Sequence, residues 1–203
     1  MKSFFFALIA LALGIGAFTS VSAAPEIGQP APDFSVMDTQ GQTHSLNDFA
    51  GQKVVLEWTN HECPFVVKHY SVGNMQDQQR LARNEHDAVW LTVISSRTGE
   101  QGHVSPEQAN ELTRTRDAFP TAVLLDESGN MGRAYDARVT PHMYIIDEEG
   151  VLRYMGGIDS NPSRHSEDIP DATQYVVTAL QDLAAGKEVA QAVTRPYGCT
   201  IKY

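Results

Sequence analysis

Val54-Val55-Leu56-Glu57-Trp58-Thr59-Asn60-His61-Glu62-Cys63-Pro64-Phe65-Val66-Val67-Lys68-His69-Tyr70 is the stretch that decides the fold. Its first five residues form a short apolar run with β-branched members, the mark of a buried central strand. A polar loop follows, and Pro64 then stands where the first residue of a helix belongs, with the helix running on through Tyr70. A strand that passes through a short loop into a helix is the building unit of an α/β chain. Ser71–Asn74 interrupts the helix before a second piece, Met75 to Asn84.

Working outward, the same alternation repeats. Ala88–Ile94 reads as a second buried strand, and Ser105-Pro106-Glu107-Gln108 as the capped start of a helix reaching Ala118. Ala122–Leu125 is a third strand, stopped by Asp126–Gly129. Met143–Asp147 and Val151–Met155 flank Glu148-Glu149-Gly150, an acidic turn that signals a hairpin and not a carboxylate dyad. Asp171 to Ala185 has the pattern of a last amphipathic helix, ended by Gly186. Toward the N-terminus, Phe34–Asp38 alternates like a half-buried strand. A turn at Asp38–Gly41 and a hairpin partner near Thr43–Ser45 follow, then a capped helical turn over Ser45–Phe49. The tail from about Lys187 to Tyr203 has no period. The pattern predicts one α/β domain.

With 203 residues, 42% of them hydrophobic and 20% charged, the chain can bury a single sizeable core. A formal net charge of −10 excludes the basic stripe that a nucleic-acid partner requires, and disfavours an anionic membrane surface. Met1-Lys2, the uncharged apolar run from Phe4 to Phe18, and Thr19-Ser20-Val21-Ser22-Ala23 have the n-region, h-region and small-residue cleavage site of a signal peptide. The expected organisation is a signal peptide over 1–23 and a mature domain over 24–203. That domain would be periplasmic or secreted, without stable membrane association after cleavage. Disulfides persist in such a compartment, which bears on the chain's two cysteines.

Cys63 follows the first central strand by a short loop and directly precedes Pro64. A thiol there faces the positive end of a helix, which favours thiolate. His61 and Lys68 are candidate helpers, although Lys68, Arg133 and Arg138 read more simply as solvated surface charges. Trp58 reads as core.

Ala31-Pro32-Asp33-Phe34, Gly41, Ser45-Leu46-Asn47-Asp48-Phe49-Ala50-Gly51-Gln52-Lys53-Val54-Val55-Leu56, Trp58 and Cys63-Pro64 together resemble the redoxin group. This is the alkyl hydroperoxide reductase/thiol-specific antioxidant branch of the thioredoxin superfamily, and the resemblance runs from about Ile27 to Ala185. It implies a thioredoxin-like mixed central sheet of four or five strands flanked by helices, with Cys63 at the top of the first central strand. Thr140-Pro141 resembles the cis-proline loop that lies against the active cysteine. The implied activity is that of a thiol oxidoreductase, peroxiredoxin-like or thiol–disulfide exchanging. It acts on a peroxide or a disulfide, draws on an external thiol donor, and needs no organic cofactor because sulfur carries both electrons.

Two departures bear on the mechanism. The second cysteine of a Cys-x-x-Cys pair is replaced by Val66, and Leu56 and Asn60 occupy the Pro and Thr/Ser places of the peroxiredoxin pattern, with Thr59 one residue earlier. Cys199, in Arg195-Pro196-Tyr197-Gly198-Cys199, is the candidate resolving cysteine. The alternatives are a permanent Cys63–Cys199 staple in a redox-inert binding domain, and no bridge at all. A third reading is a copper- or zinc-binding, metallochaperone-like module using Cys63 with His142 or His61. Copper-delivering relatives on this fold carry a second cysteine where this chain has Val66 and Val67.

Overall fold

The computed structural model describes residues 24–203; the expected signal peptide lies outside them. Ser35–Met37 (β1) and Thr43–Ser45 (β2) pair as an antiparallel hairpin. A 3-10 turn over Leu46–Phe49 follows, its start fixed by the Asp48 carboxylate, which accepts from the Ser45 amide at 2.7 Å.

Lys53–Trp58 (β3) then enters the middle of the sheet, and every residue from Val54 to Trp58 is buried. It leads into helices Pro64–Ser71 (α1) and Asn74–Glu85 (α2), which are separated at Gly73 with φ +83°. The chain returns as Ala88–Ile94 (β4), parallel to β3 and buried along its whole length. Pro106–Thr115 (α3) and Ala122–Leu125 (β5) complete the parallel half. Asn130–Ala134 (α4) and the two-residue strand Val139–Thr140 (β6) turn the chain back. His142–Ile146 (β7) then runs antiparallel to β3, with Leu152–Gly156 (β8) outside it. Tyr175–Ala184 (α5) packs on the sheet, and the chain closes with Cys199–Thr200 (β9) paired to β6. The central sheet has the order β5-β4-β3-β7-β8. It is the mixed, helix-flanked, thioredoxin-like sheet that the resemblance implies.

The two faces of β3 feed different layers, as a period of two requires. Val54, Leu56 and Trp58 join the core under the N-terminal hairpin and α4, where the Trp58 ring lies 5.1 Å from Tyr144 and 5.4 Å from Tyr135. Val55 joins the core under α1, α2 and α5, which also contains Cys63.

Two helices differ from the expectation. α3 ends at Thr115 and not Ala118, because Asp117 adopts a left-handed φ of +51°. α5 begins at Tyr175 and not Asp171, because the preceding residues are held extended against Asp159 and Ser160, whose amide donates to Thr173 O at 3.0 Å. α4, β6 and β9 are too short to carry a periodic signal. Among the described residues no helix is long and apolar enough to cross a membrane.

Candidate active site

Cys63 is the N-cap residue of α1, with Pro64 at the first helical position, as the sequence predicts. Its sulfur makes no cap bond to the helix. Instead the thiol donates to the carbonyl oxygen of Thr140 at 3.1 Å, and the residue is fully buried. The Thr140–Pro141 peptide is cis, and the bond from Cys63 to the Thr140 carbonyl sets this loop against the cysteine.

The C-terminal tail runs against this same loop. After α5 the chain runs beside the free edge of β8, where the Met155 amide donates to Ala192 O at 3.0 Å and the Thr194 amide to Met155 O at 3.1 Å. Covering an open sheet edge satisfies its backbone groups. Gly198 then passes so close to Thr140 that a Cβ would strike the Thr140 carbonyl, and its φ of +142° is one that L side chains rarely adopt. Cys199 pairs with Thr140 in the β6–β9 ladder. The Ile201 amide donates to Arg138 O at 3.0 Å and the Tyr203 hydroxyl to Ala137 O at 2.7 Å.

This route brings Cys199 to Cys63. Both cysteines are free thiols, and Thr140 is common to them: its carbonyl accepts from Cys63 and its backbone pairs with Cys199. Burial pushes the Cys199 thiol up to about 12, and Cys63 adds to the rise, while Lys202 and Arg164 pull against it. Cys199 is only partly buried, so of the two cysteines it is the one with exposed surface.

A buried polar cluster fixes the tail just before Cys199. The Tyr197 hydroxyl donates to Asp159, and the same carboxylate meets the Lys68 ammonium at 3.2 Å, with both side chains fully buried. Lys68 also donates to Asn161 O at 2.8 Å. His69 Nε2 lies 3.2 Å from the Tyr197 hydroxyl, and Asn74 approaches His69 Nδ1 at 2.8 Å. Burial lowers His69 to about 4, although Asp159 opposes this. Lys68 is thus not the solvated surface charge that its sequence position suggests. It is one half of a buried ion pair linking α1, the segment after β8 and the tail.

Glu57 is a charge inside an apolar strand, a signal visible in the sequence alone. It is fully buried and accepts from Tyr70 at 2.8 Å, Trp90 Nε1 at 2.9 Å, Thr92 at 3.1 Å and Gln79 at 3.2 Å. Burial raises its pKa despite these donors.

The remaining candidates disperse. Arg138 pairs with Asp136, and Arg133 lies 4.7 Å from the Tyr203 ring centroid. The His61 carbonyl accepts from Arg116 at 3.0 Å. His142 is buried beside Tyr144, whose hydroxyl is 3.1 Å from Nδ1, and burial lowers it to about 4. Among the described residues, no three His, Cys, Asp or Glu side chains gather as a metal site. Thr59 lines a small cavity of about 30 Å³ with Tyr70, Thr92 and Arg116, and Cys63 is not among its walls.

Residues 27–155 match the AhpC/TSA family. The chain is 29% identical over 127 residues to the thioredoxin-like protein YneN of Bacillus subtilis, covering 62% of this chain and 68% of that protein. It is 24% identical over 143 residues to the thiol-disulfide oxidoreductase ResA of Geobacillus kaustophilus, covering 67% and 72% respectively. Among solved structures it is similar to an uncharacterized conserved protein from Geobacillus kaustophilus. The TM-score is 0.74 and the identity 26%, covering 88% of this chain and 92% of that one.

Proposed function

The chain belongs to the AhpC/TSA family, and from that premise we propose that it is an extracytoplasmic thiol–disulfide oxidoreductase working through Cys63, with Cys199 as the resolving thiol. The observation that carries this reading is that two free thiols, distant in sequence, are both brought to Thr140, one through its carbonyl and one through the β6–β9 ladder. The relatives named as thioredoxin-like and thiol-disulfide oxidoreductase support exchange as the reaction class.

The chemistry is a two-electron transfer. The Cys63 sulfur, as thiolate, attacks a substrate disulfide, forming a mixed disulfide and expelling one substrate thiolate. Cys199 then gives up its proton and its sulfur attacks Cys63, expelling the second substrate thiolate. The substrate disulfide leaves as two thiols, and the protein is left with a Cys63–Cys199 disulfide. An external thiol donor restores the dithiol. Thr140 positions Cys63 through its carbonyl and Cys199 through the ladder, while Pro141 shapes the same loop.

The test uses the fully reduced chain and a small neutral disulfide, 2-hydroxyethyl disulfide. The expected result is a linked Cys63–Cys199 peptide pair with release of both substrate thiols. Cys199→Ser should stop at the mixed disulfide on Cys63, and Cys63→Ser should give no turnover. Bridge formation with hydrogen peroxide but not with the disulfide would replace exchange by peroxide reduction, the second reading that the family name supports. A Cys63–Cys199 bridge that dithiothreitol does not open would make the pair a structural staple. Export predicts a mature chain beginning at Ala24, and N-terminal sequencing of the exported form checks it.

A further inference from the structure

We propose that the cleft between β7 and the tail, beside His142, binds a small neutral aromatic compound that carries a hydroxyl, one ring of the size of phenol. The cleft has a volume of about 160 Å³, and an apolar cavity of ~150 Å³ admits a benzene ring. On one side it is bounded by Met155 and the buried rings of Tyr135 and Tyr144, and on the other by Val193 and Pro196 of the tail. Val193 is 60% exposed, so a ring seated here removes apolar surface from water on both sides. Neither cysteine lines the cleft, and the inference does not depend on the redox reading.

The polar side chains of the wall leave one point for a ligand. The Tyr135 hydroxyl donates to Pro32 O at 2.6 Å, and the Tyr144 hydroxyl to Tyr135 O at 2.8 Å. The Thr194 hydroxyl is held between the Tyr154 hydroxyl at 2.6 Å and the Gly157 amide at 3.0 Å. At the rim Asp136 and Arg138 neutralise each other, so a charged ligand meets no unpaired counter-charge. His142 differs. It is only 6% exposed, and its hydrogen bonds, with Tyr144 at 3.1 Å and the Arg138 amide at 3.4 Å, are both at Nδ1. Nε2, on the other side of the ring, has no partner among the described residues. Tyr144 has one proton and gives it to Tyr135 O, the nearer acceptor, so its oxygen accepts from Nδ1–H. Burial keeps the imidazole neutral near pH 7, and Nε2 then presents a bare lone pair. Apolar walls with a single acceptor call for a ring with a single donor.

The test titrates phenol into the chain, isotope-labelled at histidine nitrogen, with anisole as the ring of similar shape that cannot donate. Phenol should bind saturably in the millimolar range and move the His142 Nε2 resonance toward that of a hydrogen-bonded nitrogen, which anisole should not do. Because the tail forms one wall, the ligand should also hold it to the sheet. The Thr194 amide, which donates to Met155 O at 3.1 Å, should exchange its hydrogen about tenfold more slowly with phenol at about ten times its Kd. His142→Leu should weaken phenol about tenfold and leave anisole unchanged. Phenol that binds without moving the Nε2 resonance overturns the proposal, as does an equal loss of both ligands in His142→Leu. No saturable binding of phenol in the millimolar range overturns it as well. The resonance is read in the parent chain, so it decides the matter even where His142→Leu does not fold.

Discussion

Lys53–Ser71 and Lys187–Tyr203 each deliver one sulfur to the same spot, and they do so by different means. The first region is strand and helix. Its backbone bonds are closed within regular structure, Val54 to Trp58 are buried, and Cys63 sits at a fixed junction between β3 and α1. The second region has two residues of strand, and its position is set by contacts with distant segments: β8, Asp159, Thr140 and Arg138. A sulfur on regular structure is placed by local folding. A sulfur on a tail has to be placed by side chains, and here the Lys68–Asp159–Tyr197–His69 cluster does so two residues before Cys199. Buried ion pairs are weak sources of net stability, and their better-attested role is to specify one arrangement among several.

The largest effect that separates the regions is chemical. Cys63→Ser and Cys199→Ser should both abolish turnover, but only Cys199→Ser should accumulate a mixed disulfide at Cys63. Mass analysis of the quenched reaction distinguishes them, and an equal mixed disulfide on Cys199 in Cys63→Ser would erase the difference between the two sulfurs.

Next in size is the buried cluster. Asp159→Asn leaves Lys68 buried without its counter-charge and should cost about 3–5 kcal/mol in denaturant unfolding. A cost near that of a surface change would mean that the cluster does not hold the tail. Tyr197→Phe removes only the hydroxyl, a donor to a charged acceptor, and should cost about 1.5–3 kcal/mol. It should also slow closure of the Cys63–Cys199 bridge after the first attack, which stopped-flow thiol release reads directly. Unchanged closure would assign the placement of Cys199 to Gly198 and the β6–β9 ladder instead.

A more gradual effect comes with acid. His69 beside the tail and His142 beneath it are both lowered to about 4 by burial, whereas in the unfolded chain they titrate near ~6.5. Between these values the unfolded state binds more protons, so stability should fall as pH drops through this window. Glu57, whose folded pKa is raised, acts in the opposite sense. Thermal unfolding from pH 7 to 4 in His69→Gln and His142→Gln should show a shallower decline than the parent.

The first region was legible in the sequence because regular structure repeats: an apolar run, a loop and a proline at the first helical position suffice to place Cys63. The hairpins at Thr43–Ser45 and Glu148–Gly150 were legible for the same reason. The second region carries no repeat. Nothing in Arg195–Cys199 reveals that Tyr197 bonds to Asp159, 38 residues away, or that Cys199 pairs with Thr140, 59 residues away. Cys199 could be nominated by chemistry, as the other thiol, but not positioned. A lysine on a short helix is solvated unless a remote carboxylate is brought to it, and for Lys68 the fold brings Asp159. Glu57 was visible as a lone charge in an apolar strand, but its ring of donors from α1, α2 and β4 was not.

The central claim is that the tail supplies the second sulfur of a working redox couple. It is tested most directly by equilibrating the chain across a series of reduced and oxidised glutathione ratios, quenching with an alkylating agent, and mapping both cysteine peptides. The account predicts that the Cys63 and Cys199 peptides pass together from two alkylated thiols to one linked pair, reversibly and from either direction. Peptides that stay unlinked at every ratio, or linked at every ratio, would contradict it.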